Sequence, residues 1–292
     1  MNIARCLKNR LFWAMLSTVL STFLYAGNEE EVEHQIVMEK GDARTALIHF
    51  PLMRDAETLP VLIVLHGGLG NAEHVQETTG LDKLGETEGF LTVYPNGTGL
   101  RFLKNHRTWN AGRCCGPAVK KSINDVGFLS RLIDDLVSDY QADPKKIYIT
   151  GFSNGAMMAY RLACEIPDKI AAIVPVSGML AVDNCQAAIG VPILHIHGET
   201  DDNVPVLGGE GSRSVAGVKH RSVQDSLNIM MRDRGCGTAQ TESFTHYERV
   251  KYDCTKGANV QLIMVKNSGH VWPEKIQANR TVWDFLSQFI KK

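Results

Sequence analysis

No basic block interrupts this 292-residue sequence. Lys and Arg total 31 against 32 Asp and Glu, a formal net charge of -1. The basic patch or stripe of a nucleic-acid binder is therefore missing, and no nucleic acid is expected as a partner. No internal repeat, low-complexity tract or linker-like stretch divides the chain. Cysteine is sparse, with seven residues, and there is no C-x-x-C pair with a matching second half. That excludes the usual structural zinc pattern, and no metal is expected. Long apolar runs are also scarce. The one that stands out, LFWAMLSTVLSTFLYA at residues 11–26, is short for a membrane span.

That run has its own meaning. Arg5, Lys8 and Arg10 precede it, and the acidic stretch GNEEEVE follows. A basic start, an apolar middle and a small terminal residue make a secretory signal peptide, with cleavage expected after Ala26, although Leu24 departs from a small-x-small site. Residues 27–292 would then form a single domain, secreted or periplasmic, with no membrane attachment once the signal is removed. Cys6 would leave with the signal. The six remaining cysteines, Cys114, Cys115, Cys164, Cys185, Cys236 and Cys254, form an even set that suggests disulfides in an exported chain. Cys236 and Cys254 bracket a strand-like stretch, SFTHYERV, and are the candidate pair. The pairing of the other four is open.

The mature chain alternates between strand and helix patterns. EHQIVMEK and ARTALIHF read as an opening antiparallel pair. LPVLIVLHGG is nearly continuous in apolar residues, as expected of a strand buried on both faces. A helix is predicted from near Asn71 to Gly89, and GFLTVYP is the next strand. Residues 96–122 lack periodicity. NDVGFLSRLIDDLVSDY places Val126, Leu129, Ile133, Leu136, Val137 and Tyr140 on one helical face. KIAAIVPVSG and GVPILHIHG are two further buried strands. GVKHRSVQDSLNIMMRDRG is a predicted helix, ANVQLIMVKNSGH a strand and NRTVWDFLSQFI a closing helix. Such alternation argues an α/β fold, a mostly parallel sheet with helices on both faces.

The chemistry concentrates in YITGFSNGAMMAY, residues 148–160. A short apolar strand runs into Gly151-Phe152-Ser153-Asn154-Gly155 and then into a helix. This is a G-x-S-x-G elbow, a sharp turn that exposes the serine oxygen above the sheet. Serine is a weak nucleophile until a base takes its proton. On an open parallel sheet such groups gather at the carboxyl ends of strands. Asp201 and Asp202 lie just past one later strand and His270 past another, which gives the chain order Ser, Asp, His. His220 and His246 fall inside predicted elements and are poorer bases. The oxyanion needs two backbone donors: the Asn154 N–H, and one from the loop LHGGLGN, with Gly68 the candidate and Leu69 the alternative.

Taken together, LHGGLGN, WNAGRCCG, NDVGFLSRLIDDL, GFSNGAMMAYRLACE, HGETDDNVP and GHVWP resemble the secreted α/β-hydrolase esterases grouped as polyhydroxybutyrate depolymerase-like proteins, with feruloyl and acetylxylan esterases as relatives. The resemblance runs from about residue 60 to the C-terminus. It implies an α/β-hydrolase fold, a serine esterase with an acyl-enzyme, no cofactor, and a small or oligomeric ester as substrate. Residue by residue it places the nucleophile at Ser153, the base at His270 and the acid at Asp201 rather than Asp202, because two residues then separate the acid from Val204-Pro205. It also implies that Trp109 and Asn110 line the acyl or alcohol pocket and that Trp272 sits beside the base. Residues 107–116 should form one wall of that pocket, since they follow a strand and so lie on the same sheet edge as Ser153. A serine peptidase on the same fold, or a secreted binding protein that has lost its chemistry, are the competing readings.

Overall fold

The computed structural model describes residues 31–38, 43–54, 56–100, 103–185, 190–255 and 259–291. The expected signal peptide, residues 1–26, lies outside them. Along the chain the elements are β1 (Glu31–Val37), β2 (Ala43–His49), β3 (Leu59–Leu65), α1 (Ala72–Thr79), α2 (Leu81–Glu88), β4 (Leu91–Pro95), β5 (Thr98–Leu100), β6 (Leu103–Thr108), α3 (Gly116–Lys120), α4 (Asp125–Asp139), β7 (Ala142–Phe152), α5 (Asn154–Glu165), β8 (Ala172–Val176), β9 (Ile193–Gly198), β10 (Gly209–Glu210), β11 (Lys219–His220), α6 (Val223–Met231), β12 (Cys236–Ser243), β13 (Tyr247–Cys254), β14 (Val260–Val265) and α7 (Ala278–Leu286).

One ten-stranded sheet runs in the order β1-β2-β4-β3-β7-β8-β9-β14-β13-β12. Strands β4, β3, β7, β8, β9 and β14 are mutually parallel, while β1, β2, β13 and β12 add antiparallel edges. Strand alternation sorts the core into two layers. From β3, Val61, Ile63 and Leu65 face a layer with Phe128, Leu132 and Leu136 of α4 and Met157 and Met158 of α5. Leu62 and Val64 face the opposite layer, with Val75 of α1, Leu81 of α2, and Val282, Trp283 and Leu286 of α7. This is the helix-covered parallel sheet expected from near-continuous apolar strands.

Several local expectations are corrected. The helix predicted from Asn71 to Gly89 is split, because Gly80 at φ 56° caps α1 and starts α2. The helix predicted across 217–235 shrinks to α6, which the Ser222 side chain caps through the Asp225 N–H. His220 lies in an extended pair with Gly209 instead. Residues 96–122 hold the β5–β6 hairpin and α3. Between Cys236 and Cys254 lie two paired strands, β12 and β13, where a single strand was expected.

The disulfides are Cys236–Cys254, Cys164–Cys185 and Cys114–Cys115. The last joins sequence neighbours across a cis peptide.

Candidate active site

The elbow is built by close backbone packing. Ser153 sits at φ 55°, ψ -116°, an uncommon conformation for a side-chain-bearing residue. A Cβ on Gly151 would come within 2.6 Å of the Gly155 carbonyl carbon, and one on Gly155 would run into the Leu65 and His66 carbonyls. Only glycine at both positions lets β3, β7 and α5 converge here. The Ser153 N–H continues the sheet by donating to the Val176 carbonyl at 2.9 Å. The side chain is thereby left at the carboxyl edge.

Three strand ends bring the polar groups together. Asp201 follows β9, His270 follows β14, and Ser153 follows β7. The imidazole of His270 lies between the other two: Nδ1 is 2.8 Å from Asp201 Oδ2, and Nε2 is 2.9 Å from Ser153 Oγ. The Phe152 ring covers His270, with ring centroids 4.7 Å apart. The side chain of Asp201 is fully buried, and its Oδ1 accepts the Asn203 and Val204 amides at 3.0 and 2.8 Å. Burial alone raises the pKa of this carboxyl. The hydrogen bond and charge of His270, together with the Val204 amide, outweigh that and hold it below its ordinary value. Asp202 points elsewhere, toward Arg213 at the surface.

Two backbone amides lie beside the elbow. The Asn154 N–H opens α5, where no preceding helical carbonyl can accept it. Gly68 lies in the loop after β3, and a Cβ built on it would meet the Asn154 Cβ at 3.8 Å. The Leu69 amide is already committed to the Arg107 carbonyl at 2.8 Å, while the Gly68 amide donates to no other described residue.

The 107–116 segment packs against the elbow through Trp109, while Arg113 faces solvent and pairs with Asp183. Trp109 is fully buried, its Nε1 donating to the His66 carbonyl at 3.0 Å and its ring 4.8 Å from the His66 ring. It fills space beneath the elbow and offers no apolar wall to a ligand. Asn110 is likewise committed: its Nδ2 donates to the Ile123 carbonyl at 2.9 Å, and its Oδ1 accepts the Gly112 amide. Trp272 does sit two residues past His270. Its indole N–H donates to Asn279 at 3.0 Å, and its ring packs in the layer that contains α1 and α7. It anchors the His270 loop and makes no surface for the reacting groups.

What sequence reasoning missed is the support beneath these loops. The Asn154 side chain holds Trp109 by both backbone groups, accepting its N–H at 2.7 Å and donating to its carbonyl at 3.1 Å. Asp125 is fully buried. Its Oδ1 pairs with Arg44 at 2.8 Å and its Oδ2 accepts the Asn110 amide at 2.7 Å. The Arg44 guanidinium also donates to the Asn96 carbonyl and stacks 4.1 Å over Phe128. His66 accepts the Gly97 amide on Nε2 and bonds the Gly67 carbonyl through Nδ1. Burial lowers its pKa to about 3, so it is neutral. Asp125 begins the predicted helix NDVGFLSRLIDDL, and that helix-start position was its only signal.

A serine, a histidine and a carboxylate at three strand ends of a mostly parallel, helix-covered sheet define an α/β-hydrolase. Solved structures agree on the fold. The acetyl xylan esterase from Aspergillus awamori superposes over 87% of this chain and 99% of its own, with a TM-score of 0.61 and 16% identity. A thermostable esterase superposes over 89% of this chain and 63% of its own, with a TM-score of 0.58 and 14% identity. The chain belongs to the Esterase PHB depolymerase family, whose family model matches residues 45–234. Among its relatives, a bifunctional acetylxylan esterase/xylanase of Neocallimastix patriciarum is 29% identical over 86% of this chain and 34% of its own length. Feruloyl esterase B of Piromyces equi is 27% identical over 84% of this chain and 45% of its own length. A putative esterase of Nocardia uniformis subsp. tsuyamanensis is 31% identical over 74% of this chain and 66% of its own. The chain thus spans only about a third to under a half of the first two relatives.

Proposed function

We propose that this protein is a carboxylic ester hydrolase working through Ser153, His270 and Asp201. The observation that carries this reading is the unbroken line from Asp201 Oδ2 through the His270 ring to Ser153 Oγ, with both contacts under 3 Å. Ser153 Oγ attacks the ester carbonyl carbon and gives its proton to His270 Nε2. Asp201 holds the Nδ1–H tautomer and stabilises the imidazolium. The carbonyl oxygen becomes an oxyanion that the Asn154 and Gly68 amides receive. His270 returns the proton to the departing alcohol, leaving an acyl-serine. Water, deprotonated by the same base, then releases the acid. No cofactor enters these steps.

The named activities of the relatives support acetyl or feruloyl esters, or hydroxyalkanoate oligomers, as substrates. The signal-like start and the disulfides support action outside the cytoplasm, after export. The test is a panel of p-nitrophenyl acetate, butyrate, feruloyl and hydroxybutyrate esters with wild type and Ser153→Ala. Ser153→Ala should fold and lose about 10⁴-fold or more in kcat. Turnover within tenfold of wild type would remove Ser153 from the mechanism. A wild-type protein that binds these esters without an acyl-enzyme burst would point to a non-catalytic binder.

A further inference from the structure

A second polar cluster lies under the acid, and the proposed chemistry does not use it. Tyr160 of α5 and His195 and His197 of β9 are each fully buried. Their polar atoms form a chain: Tyr160 Oη to His195 Nδ1 at 2.8 Å, His195 Nε2 to His197 Nδ1 at 3.0 Å, and His197 Nε2 to the Val204 carbonyl at 2.8 Å.

The proton positions follow from one end. A carbonyl only accepts, so His197 carries its hydrogen on Nε2. Burial keeps both imidazoles neutral, pushing His195 well below its ordinary pKa and His197 below its own. Nδ1 of His197 is therefore bare and accepts from His195 Nε2–H. Nδ1 of His195 accepts the Tyr160 hydroxyl in turn. Every donor has one acceptor and every acceptor one donor.

The chain ends where it matters. Val204 donates its own N–H to Asp201 Oδ1 at 2.8 Å, so this residue is gripped from both sides, by His197 on its carbonyl and by Asp201 on its amide. His197 Nε2 is also 3.4 Å from Asp201 Oδ2, the oxygen that faces His270. The other end rests on α5, the helix that begins immediately after Ser153. Apolar side chains could fill this space without burying two imidazoles and a phenol. A fully satisfied buried network instead selects one arrangement of what it touches.

We propose that His197 is a positioning residue for the acid: through the Val204 carbonyl it fixes the loop that presents Asp201 to His270, with its own tautomer set by His195 and Tyr160. This rests on the triad reading above. It assigns a role to the histidine that opens HGETDDNVP, one that the triad itself does not require.

The test compares His197→Phe, which fills the space without a donor, with His197→Gln, which keeps an N–H for the Val204 carbonyl. Steady-state kinetics on p-nitrophenyl acetate, the melting temperature, and the low-field proton resonance of the His270–Asp201 hydrogen bond are read together. In His197→Phe, kcat should fall roughly 10- to 100-fold, as expected of a misplaced catalytic group. KM should stay within about threefold, and the low-field resonance should broaden or vanish. His197→Gln should recover most of the kcat. A folded His197→Phe with wild-type kcat, a loss confined to KM, or a His197→Gln no better than Phe would each overturn the proposal. If His197→Phe does not fold, Tyr160→Phe takes its place: a lowered kcat at unchanged KM supports the proposal, and wild-type kcat with an unchanged low-field signal overturns it. Ser153→Ala and Asp201→Asn in the same assay separate the two failures. If they retain turnover, the triad reading itself has failed. If they are dead while His197 and Tyr160 variants match wild type, only this inference has.

Discussion

The rim that carries Ser153, Asp201 and His270 and the wing made by β12 and β13 are held in opposite ways. On the rim, charged and polar groups are buried and matched: Arg44 with Asp125, Asp125 with the Asn110 amide, Asn154 with both backbone groups of Trp109. On the wing, β12 is exposed from Gly237 to Ser243. Its ion pair Lys251–Glu242 stands in solvent. Cohesion there comes from the ladder, the Cys236–Cys254 bond, and a small apolar cluster around Val223, Leu227, Val260 and Leu262 that Val250 and Tyr252 cover. Placing a catalytic group requires directional contacts that fail sharply when one partner goes. Holding an edge requires only closure.

Neighbouring acids give the largest expected contrast. Asp201→Asn should lower kcat by about 10⁴-fold through loss of the imidazole's orientation. Asp202→Asn, one residue away at the surface, should leave kcat unchanged. Ester hydrolysis rates of the two purified variants decide this, and the reverse ranking would mean the wrong acid is assigned.

Next in size is the buried pair under the rim. Asp125→Ala leaves the Arg44 guanidinium buried without its carboxylate and should cost about 3–5 kcal/mol in urea unfolding. The Asn110 amide also loses its acceptor, so kcat should fall as well. A cost under about 1 kcal/mol would put this pair on a level with surface pairs such as Lys251–Glu242 and erase the distinction between rim and wing.

For the wing, the Cys236→Ser/Cys254→Ser double variant should lose about 2–4 kcal/mol through a freer unfolded chain. Its kcat should match wild type at temperatures where it remains folded. A kcat loss in the folded variant would show that the wing positions the site after all.

The last contrast is a slope with pH. His66 is neutral when folded, with its value lowered to about 3 from 6.5, because burial penalises the imidazolium. The unfolded chain takes up that proton below pH 6.5 and the folded chain does not. Its stabilisation is therefore complete above pH 6.5 and lost as pH falls toward 3, at about 1.4 kcal/mol per pH unit. His195, His197 and His220 shift in the same direction for the same first cause, burial, and steepen the slope. Urea midpoints at pH 7 and pH 5 measure it, and equal stabilities at the two values would refute it.

The sequence exposes what periodicity and strand-end position can carry. Apolar runs such as LPVLIVL and PILHIHG show as parallel strands, and the residues just past them are those the structure brings together. It hides direction and distance. Nothing in WNAGRCCG says whether an indole faces solvent or the underside of an elbow, and Trp109 faces the latter. Arg44 and Asp125 meet across 81 residues, and no local pattern links them. The turn between β12 and β13, Phe244-Thr245-His246, contains no glycine, asparagine or proline, so the hairpin was read as one strand. Gly80 carries the punctuation of a helix end, but a lone glycine inside a helical pattern is also tolerated, so it does not by itself mark a break.

His270 stands 117 residues after Ser153 and 69 after Asp201. The strand that delivers it, β14, joins the parallel sheet beside β9. No stretch that stops short of residue 270 holds the base, however well the elbow has formed. If Ser153 acts through His270 as proposed, ester cleavage requires β14 to be docked, so the appearance of activity in a refolding experiment would report that registration, and an optical signal from the earlier helices would not.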